Sequence, residues 1–288
     1  MSLSVRDLVL ASRPVSWVNT AYPFAAAYLL ATRTVDARLI VGTLFFLVPY
    51  NLLMYGVNDV FDHESDLANP RKGGAEGGLV DPGALRSLLL ASLALPVPLV
   101  VWLLAQGSAA AGVVLVLCLA AVLGYSVPGL RLKERPVLDS MTSSAHFVGP
   151  AVYGLVLADI AVPQRIWPIV AAFFAWGMAS HAFGAVQDVL PDRAGGIRSI
   201  ATQLGARRVV RLATLAYLVS SVLLLLGPWP APLAALLPLP YAWLVWRHRD
   251  VTDETSATTN RGWRHFLGLN YLTGFLVTQL LIAAVMWW

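Results

Sequence analysis

Four acids and an amide fall within nine residues at Asn58-Asp59-Val60-Phe61-Asp62-His63-Glu64-Ser65-Asp66, in a chain with only 16 acids over 288 positions. A second, sparser pair, Asp188 and Asp192, lies further along, and both groups sit where a long apolar run ends. On a helix, offsets of three and seven put Asp59, Asp62 and Asp66 on one face, and an offset of four does the same for Asp188 and Asp192. Carboxylates at that density repel one another unless a cation sits between them. Magnesium suits such a set, because it is hard, takes oxygen ligands and is usually held by one or two carboxylates together with substrate phosphates. Arg71, Lys72, Arg131, Lys133 and Arg198 belong to the same loops and can bind the outer oxygens of a diphosphate. Acids, metal and bases together describe a site for a diphosphate leaving group.

The elements that position these residues are dictated by composition. Hydrophobic residues make up 58% of the chain and charged residues 12%, with a mean hydropathy of +0.68, so a soluble domain is excluded and an all-α polytopic membrane protein is expected. Apolar stretches long enough to cross a bilayer run over residues 15–32, 39–57, 85–105, 109–127, 142–161, 166–186, 212–227, 232–246 and 266–288. They predict nine transmembrane helices in one bundle, a single domain over residues 1–288. Of the 20 lysines and arginines, only Arg33, Arg38 and Arg165 fall on one side of that arrangement. The positive-inside rule then makes the other side cytoplasmic, with the N-terminus and both acidic patches on it, around a cavity open to the cytoplasm. A net charge of +4 matches basic loops meeting anionic headgroups of the lipid bilayer and implies no nucleic-acid partner. The one cysteine, Cys118, excludes an internal disulfide. The first apolar stretch, preceded by Arg6 and Arg13, is read as a retained helix.

Asn58-Asp59-x-x-Asp62-x-x-x-Asp66 resembles the first motif of the UbiA-type intramembrane prenyltransferases, and Asp188-x-x-x-Asp192-x-x-x-Gly196 resembles their second. The segment from Tyr125 to Lys133 is similar to the tyrosine-and-lysine stretch after their fourth span. The resemblance implies a magnesium-dependent transfer in which an allylic diphosphate ionises and its prenyl group passes to an electron-rich acceptor. It implies that Asn58, Asp59, Asp62 and Asp66 hold one magnesium and Asp188 and Asp192 the other. Tyr125 and Lys133 then attend the diphosphate, although the tyrosine-to-lysine spacing is stretched and Arg131 competes with Lys133 for the role of steadying the leaving group. Asn69-Pro70-Arg71-Lys72 after the first motif, Tyr125-Ser126-x-Pro128 and Leu138-Asp139-Ser140 resemble the lycopene elongase branch. That branch implies dimethylallyl diphosphate as donor and lycopene as acceptor.

The remaining polar residues of the spans each carry two readings. Asp139 is a helix N-cap or a residue facing the acceptor. His146 and His181 are bonded to neighbouring helices or line the acceptor pocket. Asn51 makes an interhelical bond or reaches the diphosphate. Two other functions fit the acids: an aromatic-acceptor prenyltransferase of quinone or chlorophyll synthesis, and a cation-coupled secondary transporter. Transporters place ionisable groups near the bilayer midplane on broken helices and often show repeated halves, whereas these acids end apolar runs and the span count is odd.

Overall fold

Inside a bilayer no water is available to satisfy main-chain N–H and C=O groups, so a chain this apolar must close its hydrogen bonds within helices or a closed barrel. The computed structural model describes residues 3–63 and 80–287. Among these residues every regular element is helical and no strand occurs. The α-helices are α1 (Val5–Ala11), α2 (Trp17–Thr32), α3 (Ala37–Leu47), α4 (Pro49–Asn51), α5 (Val57–Phe61), α6 (Leu85–Ala94), α7 (Val97–Gln106) and α8 (Ala109–Ser126), then α9 (Leu138–Leu157), α10 (Trp167–Val186), α11 (Val189–Ala194), α12 (Ile200–Leu204), α13 (Ala206–Leu225), α14 (Ala231–Ala234), α15 (Pro238–Trp246) and α16 (Asn260–Trp287). Asp66, Arg71, Lys72 and the glycines between residues 73 and 78 lie outside the described residues.

Among the described residues the nine expected segments lie mainly on helices, and six of those are long and apolar enough to cross a membrane: Ala37–Phe61, Pro82–Gln106, Ala109–Ser126, Gln164–Val186, Ala206–Leu225 and Ser256–Met286. The other three fall short for separate reasons. Helix α2 has 16 residues, about 24 Å of rise against a hydrocarbon core of about 30 Å. Helix α9 carries Asp139, Ser140, Thr142, Ser143, Ser144 and His146 in its first half. The stretch Ala231–Trp246 is apolar but shorter. Large apolar side chains remain outward along the long helices, among them Leu117 at 61% and Phe275 at 61% exposure. Stripes of that kind are tolerated in lipid and are aggregation surfaces in water.

The chain divides into two compact units, residues Met1–Leu132 with Gly149–Ala161, and Lys133–Val148 with Val162–Trp288. In the first, Phe24, Phe45, Phe46, Tyr50 and Tyr153 are completely buried. Their rings meet at centroid distances of 4.8 Å for Phe45 with Phe46 and 5.1 Å for Phe24 with Phe46, the tilted and edge-on arrangements that aromatic quadrupoles favour. Small residues let the helices approach. A Cβ at Gly154 would stand 2.6 Å from the Phe24 carbonyl oxygen, so α9 touches α2 backbone to backbone there. Pro49 has no N–H and breaks the helix between α3 and α4. Carbonyls at the break take side-chain donors instead: Phe46 O accepts from Thr20 Oγ1 at 2.7 Å and Asn51 Nδ2 at 2.8 Å, and Leu47 O accepts from Asn51 Nδ2 at 3.1 Å. Asn51 Nδ2 also donates to Thr20 Oγ1 of α2 at 2.7 Å, so this fully buried residue makes an interhelical bond.

The second unit is built on α10 against α13 and on α13 against α15. Tyr217 and Tyr241 stack at its centre at 5.5 Å, with Trp176 edge-on to Tyr241 at 5.6 Å. Both tyrosine hydroxyls have partners, as a low-dielectric interior favours: Tyr217 with Ser180 at 3.0 Å, and Tyr241 with Asn270 at 2.8 Å and Thr273 at 2.9 Å.

Candidate active site

Between α4 and α5 the backbone forms a π turn, Leu52–Gly56. A π turn holds more residues than an α turn and rotates the next helical residues to a new direction, a device common at functional sites. It delivers Asn58 and Asp59 on α5 and places Asp62 at that helix's C-cap, where the Asp62 N–H still bonds Asn58 O at 2.9 Å. Asp59 is 6% exposed and Asp62 13%. Two acids at a helix C-terminus face the negative end of the dipole, so this motif demands a cation more strongly than its own mutual repulsion does.

Two guanidinium groups answer the demand among the described residues. Arg13 Nη2 donates to Asp59 Oδ1 at 2.5 Å and Arg131 Nη2 to Asp62 Oδ1 at 3.4 Å. Both arginines leave the backbone at positive φ, Arg13 at +52° and Arg131 at +36°. A left-handed conformation costs an L-residue roughly 1–2 kcal/mol, and held strain of this sort clusters at functional sites. The Arg13 guanidinium lies 4.8 Å over the Tyr55 ring, and the Tyr55 hydroxyl is tethered to Ser16 Oγ at 3.2 Å. From the end of α8, Ser126 Oγ donates to Asn58 Oδ1 at 2.9 Å. Tyr125 is half-buried one residue earlier, and Lys133 is half-buried in the 3-10 turn Leu132–Glu134. Gly129, at φ +90°, supplies the turn between α8 and Arg131.

In the second unit, α10 ends and Asp188 becomes the N-cap of α11, with Asp192 in its first turn. The Asp192 N–H bonds Asp188 O at 2.9 Å, so the two acids do share a turn of helix. Gly196 ends it at φ +71°, with Gly196 N–H to Arg193 O at 3.1 Å and Ile197 N–H to Asp192 O at 2.8 Å. This is a Schellman cap, and it explains the glycine four residues after Asp192. Arg193 then ties the loop down, donating to Thr202 O at 2.8 Å through Nη2 and to Asp253 Oδ2 at 2.6 Å through Nη1. Arg198 is exposed. Asp253 also accepts from Ala206 N–H, the first residue of α13, at 2.7 Å. That backbone bond first, then the Arg193 guanidinium, hold its carboxyl below the ordinary value despite partial burial.

Asp139 is completely buried. It caps a helix other than its own: Oδ2 accepts from Ile200 N–H, the first residue of α12, at 2.6 Å, while Oδ1 accepts from Ser140 N–H at 2.6 Å and from Ser140 Oγ at 3.2 Å. Ser140 Oγ in turn lies 3.1 Å from His181 Nδ1. His146 is 3% exposed on the same helix as Asp139.

Asn58, Asp59 and Asp62 present an amide and two carboxylates, hard oxygen donors whose excess charge already draws cations, and this donor set fits magnesium. Among the described residues no three His, Cys, Asp or Glu side chains converge on one point. Arg13, Ser126, Arg193 and Asp253 were not among the expected site residues. Each acts across a long stretch of sequence, 46 residues for Arg13 to Asp59 and 68 for Ser126 to Asn58, so no local spacing announces it.

Among the described residues, six helices long and apolar enough to cross a membrane, with large apolar side chains turned outward, mark a multi-pass membrane protein. The chain belongs to the UbiA prenyltransferase family, whose profile matches residues 20–286, and it is accordingly a prenyltransferase. Its relatives include a Dietzia protein named C(50) beta-cyclic carotenoids biosynthesis protein LbtBC, 50% identical over 278 residues, which are 96% of this chain and 64% of that one. The chain thus spans just under two thirds of that relative's length. A Corynebacterium glutamicum protein named lycopene elongase/hydratase is 44% identical over 98% of this chain and 99% of its own. Among solved structures, a UbiA homolog from Archaeoglobus fulgidus bound to GPP and Mg2+ shares the fold, with a TM-score of 0.70 at 17% identity over 93% of this chain and 99% of that one.

Proposed function

We propose that this prenyltransferase moves a dimethylallyl group from its diphosphate to lycopene in a magnesium-dependent reaction. The observation that carries the reading is the pairing of helix-end acids with guanidinium groups, buried Asp59 with Arg13 and half-buried Asp62 with Arg131, a constellation suited to a metal diphosphate. The names of the Dietzia and Corynebacterium relatives support a carotenoid acceptor, and the neighbour bound to GPP and Mg2+ supports a prenyl diphosphate donor. Magnesium, when bound, neutralises the departing diphosphate. On this reading Asn58, Asp59, Asp62 and Asp66 hold one ion and Asp188 and Asp192 the other, with a diphosphate as the anionic partner. Arg71, Lys72, Arg131, Lys133, Arg198 and Tyr125 bind its outer oxygens. Asp139 orients His181 through Ser140, and His181 and His146 border the acceptor.

Residues 1–288 work as one domain of nine spans, with the N-terminus and the acids on the cytoplasmic side, as the distribution of lysine and arginine argues. Family membership removes the transporter alternative. The aromatic-acceptor alternative has a direct test: purified protein with magnesium and dimethylallyl diphosphate, offered lycopene or 4-hydroxybenzoate in separate reactions and read by mass spectrometry. A lycopene adduct that disappears with EDTA is the expected result. Product from the aromatic acid alone overturns the carotenoid assignment.

A further inference from the structure

We infer that Arg13 is a resident counter-cation of the first acidic motif, displaced from Asp59 by the divalent metal and then available to the incoming diphosphate. The inference rests on the proposed reading that Asn58, Asp59 and Asp62 hold magnesium. Arg13 and Asp59 meet at 2.5 Å with 13% and 6% exposure, so the pair is largely desolvated. The guanidinium engages Asp59 Oδ1, so a metal that takes that oxygen must compete with Arg13 for it. The guanidinium also has a second resting contact, the Tyr55 ring at 4.8 Å, which a metal does not contest. Tyr55 is fixed by its bond to Ser16, and the Arg13 backbone is held at φ +52° and ψ 77° immediately before Pro14. The head is thus stationed beside the motif by contacts independent of Asp59, and a planar guanidinium fork matches phosphate oxygens.

An ordinary structural ion pair joining the α1–α2 corner to α5 makes the opposite prediction about metal. Removing a structural partner loosens the motif and weakens metal binding, whereas removing a competitor tightens it. The test uses the full chain in detergent, with Mn2+ followed by the electron paramagnetic resonance signal of the free ion and no donor present. Arg13→Gln should bind Mn2+ at least about fivefold more tightly than the parent, since a positive charge a few ångströms from a dication has gone. The same variant should bind inorganic diphosphate more weakly in saturating Mg2+. Arg13→Lys, which keeps the charge and loses the fork, should leave Mn2+ affinity near the parent value while still weakening diphosphate. Unchanged or weakened Mn2+ binding in Arg13→Gln overturns the inference, as does undiminished diphosphate binding in both variants. If Arg13→Gln fails to fold, Arg13→Lys decides alone: diphosphate binding equal to the parent's overturns the inference. Asp59→Asn with Asp62→Asn separates the two levels. Loss of Mn2+ binding there upholds the metal reading whatever Arg13 does, and retained binding removes that reading and the inference together.

Discussion

Asp253→Asn changes one atom type at a point where three parts of the second unit are joined. The carboxylate accepts from Ala206 N–H at 2.7 Å and from Arg193 at 2.6 Å, while Arg193 also holds Thr202 O. The asparagine keeps an acceptor for Ala206 but removes the charge. A carboxylate at a helix N-terminus contributes about 0.3–1 kcal/mol. The pair with Arg193, exposed by 41% and 27% on its two sides, contributes about 0.2–1 kcal/mol once solvent screening is allowed for. The expected loss is about 0.5–2 kcal/mol, nearer the lower end because both interactions share one carboxylate. Asp253→Ala also strips the acceptor from the Ala206 N–H and should cost about 1 kcal/mol more. Thermal unfolding in detergent, followed by tryptophan fluorescence, measures both. Because Arg193 anchors the loop that carries Asp188 and Asp192, the variant should also need more magnesium for half-maximal transfer, with the maximal rate little changed. The pH dependence has a definite sign. The folded carboxyl titrates below its ordinary 3.8, so its contribution is fully present above that value and is lost as pH falls through the folded pKa. Parent and Asp253→Asn should differ by a constant amount from pH 7 to about 5 and converge in stronger acid. The reasoning fails if Asp253→Asn melts like the parent at pH 7, or if exposed Glu254→Gln costs as much.

Replacing Asp62 or Asp192 by alanine should lower transfer by about a hundredfold or more and blunt its magnesium dependence, with the melting temperature unchanged; retained activity in both variants contradicts the two-motif assignment. Gly196→Ala should destabilise by roughly 1 kcal/mol, because φ +71° strains any Cβ although nothing stands within 4 Å of it. Gly196→Asn should cost less, and equal melting of all three proteins would refute the Schellman reading. Gly154→Val drives a side chain into the Phe24 carbonyl and should cost about 3 kcal/mol or more, visible as loss of folded protein in size-exclusion chromatography.

Legibility from sequence tracked the range over which each interaction acts. Apolar runs announce helices because a bilayer admits few alternatives, and each expected segment lies mainly on helix in the described residues, although several are broken or shorter than expected. The run ending at Val57 extends through Phe61 because the π turn carries the helix on into Asn58 and Asp59. Asp59 and Asp62, and likewise Asp188 and Asp192, stand three and four residues apart, a spacing that sequence alone shows and that keeps each pair within one turn. The N-cap reading of Asp139 had the right chemistry and the wrong helix: its carboxylate caps α12, 61 residues away, a pairing that only the tertiary fold creates.

Arginine shows the same limit from the other side. In the sequence Arg13 is one basic residue before an apolar run, and the topology rule accounts for it completely. Nothing local reveals that its backbone turns left-handed and sends the side chain across to Asp59. The acids themselves supply the missing physical argument. Carboxylates at a helix C-terminus, 6% and 13% exposed, face the negative end of the dipole and repel one another, so a nearby cation stabilises the pair. Arg13 supplies that cation beside Asp59 and, on the inference above, is one that magnesium can move aside. Lysine would suffice for the charge alone, whereas a planar fork that sits over the Tyr55 ring and matches phosphate oxygens is arginine's.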